Sequence, residues 1–256
     1  MKSWDGVGEA YAASYASLCA GTIAPLLAMF GPAEGRRALD VGSGTGELAA
    51  RFRDAGWDAV GCEPEATMRA VAEREHPGIR FVDAGFPSLP YASGSFDAVT
   101  ANFVLNHVTD PRRSASEMAR VAAAGAVLGA TIWVLSPSWF WRDVCESAGL
   151  QPAAGERLPS EKDFERTSAG FATMLEDAGW REVVTEDMSW TWEASPTALW
   201  ASAEGGVASA GLFYQGLDSA ERARFRSAFD RVCARHAIDD VIPLAHTAAV
   251  AVGRAL

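Results

Sequence analysis

Three glycines at alternate positions, Gly42, Gly44 and Gly46, follow a short apolar run that contains Asp40 near its end. The run is typical of a strand, and the glycines let the backbone approach a ligand closely because no Cβ is in the way. A helical pattern starts at once, and helix-start N–H groups favour a carboxylate-bearing or negatively charged ligand. A phosphate would gain little from Asp40, whereas an ammonium or sulfonium group would. Similar turns also occur in α/β sheets that bind nothing there, so the turn alone gives a hypothesis.

Two further acids end the next predicted strands. Residues 59–63 form an apolar run that ends in Glu63, 23 positions after Asp40, and residues 79–83 form one that ends in Asp83. An acid about 20 residues beyond a glycine turn, at the tip of the second strand, can accept hydrogen bonds from ribose hydroxyls. Asp83 could accept one from an exocyclic amine such as that of adenine. Together the strand tips predict an adenosine pocket.

The elements that position these acids alternate between strand and helix. Further strands are predicted at 96–102, 126–134, 180–192 and 242–252, and helices at 45–56, 65–75, 110–123 and within 196–237. Alternation of this kind indicates a doubly wound α/β sheet, with ligands at the carboxyl edge of the parallel strands. No repeat or linker divides the chain, so residues 1–256 are predicted to form one domain.

The segment before the first strand, residues 1–35, is predicted to form one or two helices. Tyr11 and Tyr15 are four residues apart and are expected on one helical face. If this helix covers the ligand cleft, both phenols would point into it; otherwise they pack on the sheet.

Composition narrows the classes of partner. The formal net charge is −11 among 256 residues, which argues against nucleic acid or an anionic membrane as a partner. The four cysteines are scattered with no close pair, so they indicate neither disulfides nor a metal site. No leader-like segment or long apolar run is present, and a cytoplasmic location is expected.

These motifs resemble class I S-adenosylmethionine-dependent methyltransferases, in particular the ubiquinone/menaquinone-methylase-like group. The similarity covers about residues 36–135 and is carried by the following segments: 39–46 (LDVGSGTG), Glu63-Pro64 with Met68, Asp83-Ala84, 95–99 (SFDAV), 105–108 (LNHV), and Glu117 with Arg120-Val121. Where the family usually has Pro-Gly-Gly before the fifth strand, this chain has Ala124-Gly125-Ala126. The motifs are specific for fold and cofactor and do not specify the methyl acceptor.

The resemblance implies a Rossmann-like, seven-stranded, mostly parallel sheet with the last strand antiparallel. Residues 1–35 would form lid helices, 36–135 the cofactor-binding core, and 136–256 the acceptor-side cap, with inserted helices and the last two strands. It also implies S-adenosylmethionine as the methyl donor and S-adenosylhomocysteine as the product.

The resemblance further implies roles for individual residues. Asp40 and the turn of Gly42, Ser43, Gly44 and Gly46 would cradle the methionine part of the cofactor. Glu63, next to Pro64, would take both ribose hydroxyls. Contacts to the adenine would come from Met68, Asp83 and Ala84, with Gly85 in the connection that follows. The backbone at Asn102 and Phe103 would face the methionine amine. Tyr11 and Tyr15 are added to the cofactor contacts from their spacing alone, on the hypothesis that the lid helix covers the cleft. Met68 could instead be an ordinary core methionine.

Methyl transfer from a sulfonium requires alignment of the nucleophile and exclusion of water. A base is needed only for an acceptor that must lose a proton, and His107, just past the fourth strand, is the candidate because its pKa falls near neutral pH. This histidine could equally only orient its loop. Tryptophans at 139–141 and 190–200 suggest a small aromatic or apolar acceptor, although nine tryptophans could also form core.

Two other functions are consistent with parts of the pattern. A nicotinamide-dependent oxidoreductase would require a Gly-x-Gly-x-x-Gly spacing, which the Gly42–Gly46 turn with Asp40 at its entrance fits poorly. A protein that binds S-adenosylmethionine for other chemistry, or to sense it, would carry the same cofactor motifs.

Overall fold

The computed structural model describes residues 4–33, 35–151 and 158–256. Within these residues, seven strands form one sheet in the order β3-β2-β1-β4-β5-β7-β6. The strands are β1 (Arg37–Val41), β2 (Asp58–Cys62), β3 (Arg80–Val82), β4 (Phe96–Asn102), β5 (Ala122–Leu135), β6 (Arg181–Ala194) and β7 (Ile242–Arg254).

Strands β1 to β5 are parallel, and β7 runs antiparallel to both β5 and β6. This confirms the predicted mostly parallel sheet with an antiparallel last strand. Strand β5 starts at Ala122, four residues before its predicted start, and continues to Leu135.

The strand order reverses at β1, which lies between β2 and β4. In the register, Asp40 is opposite Gly61 on one side and Thr100 on the other. The ends of these three strands therefore meet at one edge, and a crevice at such a reversal is where open α/β sheets bind ligands.

Helices cover both faces of the sheet. They are α1 (Gly8–Ala12), α2 (Tyr15–Cys19), α3 (Ile23–Ala28), α4 (Glu47–Asp54), α5 (Ala66–Glu75), α6 (Pro111–Val121), α7 (Trp139–Ala148), α8 (Ser168–Asp177), α9 (Pro196–Glu204), α10 (Ala208–Gln215) and α11 (Ser219–His236). The predicted helical block at 196–237 is therefore three helices.

Side chains that the sequence places before helices cap them. Glu65 precedes α5 and accepts a hydrogen bond from the backbone N–H of Met68 at 2.7 Å. Asp110 precedes α6, where it accepts one from Arg113 N–H and is followed by Pro111, which suits the first helical position. These caps fix where α5 and α6 begin, directly beside the carboxyl edge of the sheet.

The helix expected to carry both Tyr11 and Tyr15 is interrupted. It divides into α1 and α2 at Ala13 and Ser14, where the Ser14 hydroxyl donates to the carbonyl of Ala10. The prediction of one helical face was wrong, because a serine side chain that bonds to the preceding turn competes with helix continuation.

The core has two main parts. The larger lies between the sheet and helices that include α6 and α8, with Trp180, Phe96 and Leu128 fully buried. The second lies where α7, α9 and α11 pack with β6 and β7. Among the described residues, no helix is long and apolar enough to cross a bilayer.

Candidate functional site

A cavity of about 700 Å³ opens at the carboxyl edge of the sheet, within the size range of small-molecule sites. Its walls come from the turn after β1, the tip of β2, the loop after β4, helices α1 and α2, and the neighbouring ends of β5, β6 and β7. Predicted site residues that line it are Tyr11, Tyr15, Gly42, Gly44, Glu63, Pro64, Met68, Gly85, Asn102, Phe103 and His107.

The three glycines of the turn have different surroundings. All have positive φ values, which favour glycine. A Cβ on Gly44 would meet only the Tyr11 ring, at 3.6 Å, so this backbone is open towards the cavity. A Cβ on Gly42 would lie 2.5 Å from Val104. Gly46 does not line the cavity; its Cβ would lie 2.8 Å from Phe81, so this glycine serves packing.

Glu63 joins the tips of β1 and β2. Its side chain is buried; Oε2 accepts a hydrogen bond from the Gly44 N–H at 2.9 Å, and Oε1 accepts one from the Glu65 N–H at 2.9 Å. Burial raises the pKa of the Glu63 carboxyl, and the two N–H groups oppose that rise. An ionised carboxylate has further lone pairs, so this group can still accept bonds from a ligand.

Asp40 lies deeper, at the adjoining hollow that Glu47 and Ser43 also line. Burial, together with the charges of Glu47 and Glu63, raises the pKa of Asp40 to about 7, and the Thr100 hydroxyl, which donates to Oδ1 at 3.0 Å, opposes the rise. In the described part of the chain, no lysine or arginine lines the cavity or the hollow. The site therefore carries negative charge that a cationic ligand would offset.

Ser43 also belongs to the hollow. Its hydroxyl oxygen is buried and has no hydrogen-bond partner within the described residues. A buried polar group without a partner is costly, so a ligand group that bonds to it would remove that cost.

Asp83 and Ala84 do not line the cavity. The Asp83 side chain is 72% exposed and pairs with Arg69 at 3.2 Å. Arg69, on α5, also donates to the Glu63 carbonyl, and it holds the carboxylate of Asp83 on the outer side of the strand tip. Asp83 therefore lies at the strand tip outside the cavity wall, and its contact with an adenine amine stays a prediction.

Asn102 anchors the lid to the sheet. Its Oδ1 accepts hydrogen bonds from the hydroxyls of Thr22 at 2.8 Å and Thr131 at 2.6 Å, and its Nδ2 donates to the Cys19 carbonyl at 3.2 Å. Phe103, next in the chain, has a φ of 58°. Because Oδ1 and Nδ2 both have partners within the protein, Asn102 offers a ligand mainly its backbone.

The two tyrosines belong to different ends of the cavity. Tyr11 lies over the glycine turn, and burial raises its pKa well above the usual value. Tyr15 instead packs edge-on against Trp192, with ring centroids 5.7 Å apart, and accepts a long hydrogen bond from the Trp141 indole. Only Tyr11 is next to the cofactor motifs.

His107 lies on the loop between β4 and α6. Its backbone N–H donates to the Val104 carbonyl, and its ring meets Trp4 edge-on at 5.2 Å. The side chain therefore reaches the cavity wall from the lid side, as a base or a loop-orienting residue would.

The opposite end of the cavity is an aromatic chamber, formed by Tyr15, Trp133, Phe140, Trp141, Trp192 and His246. Trp133 stacks on Phe103 at a centroid distance of 3.8 Å and a 10° interplanar angle. This contact joins the chamber to the end of β4, where the cofactor motifs lie.

Sequence reasoning missed Trp133 and His246. Trp133 stands near the end of an apolar strand that looks like ordinary core. His246 stands near the start of β7, opposite Trp190 in the pairing. A histidine within an otherwise apolar alternating strand, near an antiparallel partner rich in tryptophan, was the available signal.

The methyltransferase domain family matches residues 39–129. A demethylmenaquinone methyltransferase from Beutenbergia cavernae is 32% identical over 166 residues, which are 60% of this chain and 69% of that protein. Another from Paenarthrobacter aurescens is 31% identical over 167 residues, which are 60% of this chain and 66% of that protein. The chain thus spans about two thirds of the length of these relatives.

The same fold occurs in solved structures of low sequence identity. The YcgJ protein from Bacillus subtilis superposes with a TM-score of 0.56 at 17% identity, over 91% of this chain and 97% of that chain. This likeness supports the fold and says nothing of the acceptor.

Proposed function

Because the chain belongs to the S-adenosylmethionine-dependent methyltransferases, we propose that it methylates a small, largely apolar or aromatic metabolite. The bound cofactor supplies a methyl group already activated on a sulfonium. The protein must then align an acceptor with that methyl and keep water out. A cavity with a charged end and an aromatic end suits these tasks, because the charged end can hold the cofactor and the aromatic end can align the acceptor.

The observation that carries the proposal is the excess of acidic side chains at the end of the cavity formed by the glycine turn. Asp40, Glu47 and Glu63 lie around the open backbone of Gly44, and within the described residues no lysine or arginine lines the cavity or the hollow beside them. Arg69, outside the cavity, partly offsets the charge of Glu63. Opposite charge nearby favours the ionised form of a carboxylate, so a ligand with ammonium and sulfonium groups fits. The unpartnered Ser43 hydroxyl offers a further contact.

In this proposal, Glu63 holds the ribose hydroxyls, and Met68 packs on the adenine. The turn at Gly42 and Gly44, with Asp40 beneath, receives the methionine end, and Tyr11 covers it. Gly46 supports the turn by packing. Asp83, paired with Arg69 at the strand tip, keeps further acceptor lone pairs for an adenine amine at the rim of the cavity.

The acceptor end is proposed from its lining. Aromatic walls of the chamber suit planar apolar ligands. The two relatives described above are named as demethylmenaquinone methyltransferases, and an acceptor of quinone-like size and polarity would fit these walls.

Release of S-adenosylhomocysteine tests the proposal. The protein is incubated with S-adenosylmethionine and a panel of naphthols, hydroxyquinones, aryl amines and aliphatic alcohols, and product is measured by mass spectrometry. Acceptor-dependent product that is greatest with bicyclic aromatic compounds supports the proposal. Tight cofactor binding without product from any aromatic acceptor contradicts it and favours the non-methylating alternative.

A further inference from the structure

His246 is a buried histidine in the wall of the aromatic chamber. Its side chain is 5% exposed, and the residue lines the cavity. Strand β7 runs antiparallel to β5, and Leu135, the last residue of β5, is opposite Thr247. His246 therefore lies at the carboxyl edge of the parallel strands, where ligands of this fold bind.

The hydrogen bonding of the ring determines which nitrogen carries the proton. Nδ1 lies 2.9 Å from the Leu244 carbonyl oxygen. A carbonyl only accepts, so Nδ1 must be the donor. In the neutral ring Nε2 then holds the free lone pair, and within the described residues no group is hydrogen-bonded to it.

The surroundings keep the ring neutral and fixed. Aromatic rings border it: Trp190 is stacked at 5.8 Å, Trp133 lies at 5.4 Å and Trp192 at 6.5 Å. Burial among them lowers the pKa of His246, and the bond to Leu244 opposes that effect. The result is a hydrogen-bond acceptor held in an apolar wall. A ligand hydroxyl that bonds to it gains more free energy there than in water, because an unpaired polar group is costly in apolar surroundings.

We propose that Nε2 of His246 accepts the proton of an acidic hydroxyl on a planar aromatic acceptor, so that the chamber selects phenol- or enol-type substrates for O-methylation. This inference rests on the proposed function. As the acceptor oxygen forms its bond to the methyl carbon, the carbon–sulfur bond breaks and its electron pair stays on sulfur. The hydroxyl proton moves to Nε2 and is later lost to solvent.

The aromatic stack supplies the alignment that this step needs. Trp133 contacts both His246 and Phe103, the latter at the end of β4 beside the cofactor motifs. An acceptor against Trp133 would therefore lie beside the His246 ring and in the same cavity as the glycine turn. His107 lies on the lid side, with its ring 5.2 Å from that of Trp4.

Binding of two probes of the same shape tests the assignment without requiring turnover. The affinities of 1-naphthol and naphthalene are measured by calorimetry with the protein saturated with S-adenosylhomocysteine. We expect naphthol to bind about three- to tenfold more tightly, the effect of one net hydrogen bond. Equal affinities, or no binding of either probe, would overturn the assignment.

Three variants locate the hydrogen bond. His246→Asn keeps a donor near the position of Nδ1 and removes the group at Nε2, so the preference for naphthol should disappear while naphthalene still binds. His246→Gln places an amide oxygen near the position of Nε2 and should restore the preference but not proton transfer. His76→Asn replaces a histidine that does not line the cavity, and the preference should persist.

Several results separate this inference from the proposed function. Persistence of the naphthol preference in His246→Asn, or its loss in His107→Ala but not in His246→Asn, would contradict the role of His246. Thermal unfolding of each variant with S-adenosylhomocysteine confirms that it is folded. S-adenosylhomocysteine production from aryl amines but not from phenols would leave methyl transfer intact and contradict the hydroxyl specificity.

Discussion

The carboxylate oxygen Oε2 of Glu63 lies 2.9 Å from the backbone nitrogen of Gly44. One side chain therefore fixes the tip of β2 to the turn after β1, and the same carboxylate faces the cavity. A ligand that bonds to Glu63 is thereby placed against the bare backbone of Gly44.

Replacement of Glu63 should separate its two roles. Glu63→Gln keeps an oxygen for the Gly44 N–H but loses the charge, and Glu63→Ala loses both. We expect S-adenosylhomocysteine affinity to fall about tenfold in the glutamine variant and at least about a hundredfold in the alanine variant, since bonds to charged groups contribute about 1.5–3 kcal/mol. Calorimetry measures both. Glu73→Gln, an exposed change on α5, is the matched control, and equal affinities in all four proteins would contradict the role of Glu63.

Asp40 predicts a pH dependence of cofactor binding. Its pKa in the free protein is raised to about 7, so below that pH a cationic ligand must displace a proton from the carboxyl. Affinity should decrease by up to about tenfold per pH unit as pH falls below 7. The Asp40→Asn variant should bind the cofactor more weakly at pH 8, and its affinity should lack this pH dependence between pH 5 and 7. An identical slope in the variant would contradict the assignment.

Gly44 and Gly46 form a matched pair with opposite expectations. Gly44→Ala puts a methyl group into the cavity at a φ of 56°, so cofactor affinity should fall. The free energy of unfolding should decrease by about 1–2 kcal/mol because alanine is strained at this φ. Gly46→Ala would collide with Phe81 and His76, so stability should decrease more, by about 2–4 kcal/mol. Denaturant unfolding and calorimetry on the folded fraction measure the two effects. The reverse order in stability would contradict the packing role of Gly46.

Trp133 should affect the acceptor and not the cofactor. Trp133→Leu removes the stack on Phe103 and one wall of the aromatic chamber. We expect weaker binding of 1-naphthol, by about tenfold, with little change for S-adenosylhomocysteine. Trp57→Leu, a buried tryptophan that does not line the cavity, controls for general loss of stability. A larger effect on the cofactor than on naphthol would show that the two ends are assigned wrongly.

The meeting of the glycine turn and Glu63 at the cavity was largely predictable because its signals are local. The glycine turn follows one apolar run, and Glu63 ends the next, so both signals lie within about 25 residues. Parallel pairing of the two strands alone brings them together. The helix caps at Glu65 and Asp110 are equally local, and both predicted helices begin within a residue of their observed starts.

The remaining differences depend on contacts distant in sequence. Asp83 ends its strand as predicted, but Arg69, fourteen residues away, pairs with it outside the cavity. The aromatic chamber needs β5, β6 and β7 side by side, so the sequence can mark Trp192 and His246 as unusual but cannot show that they meet Trp133. The break between Tyr11 and Tyr15 lies at Ser14, whose hydroxyl donates to the Ala10 carbonyl, and helical periodicity does not reveal it.

Titration of the purified protein with S-adenosylhomocysteine in a calorimeter tests the central claim most directly. The arrangement of Asp40, Glu63 and Gly44 predicts saturable binding of one molecule per chain, and NAD⁺ should not compete. No measurable uptake of S-adenosylhomocysteine or S-adenosylmethionine, or competition by NAD⁺ for the same site, would contradict it.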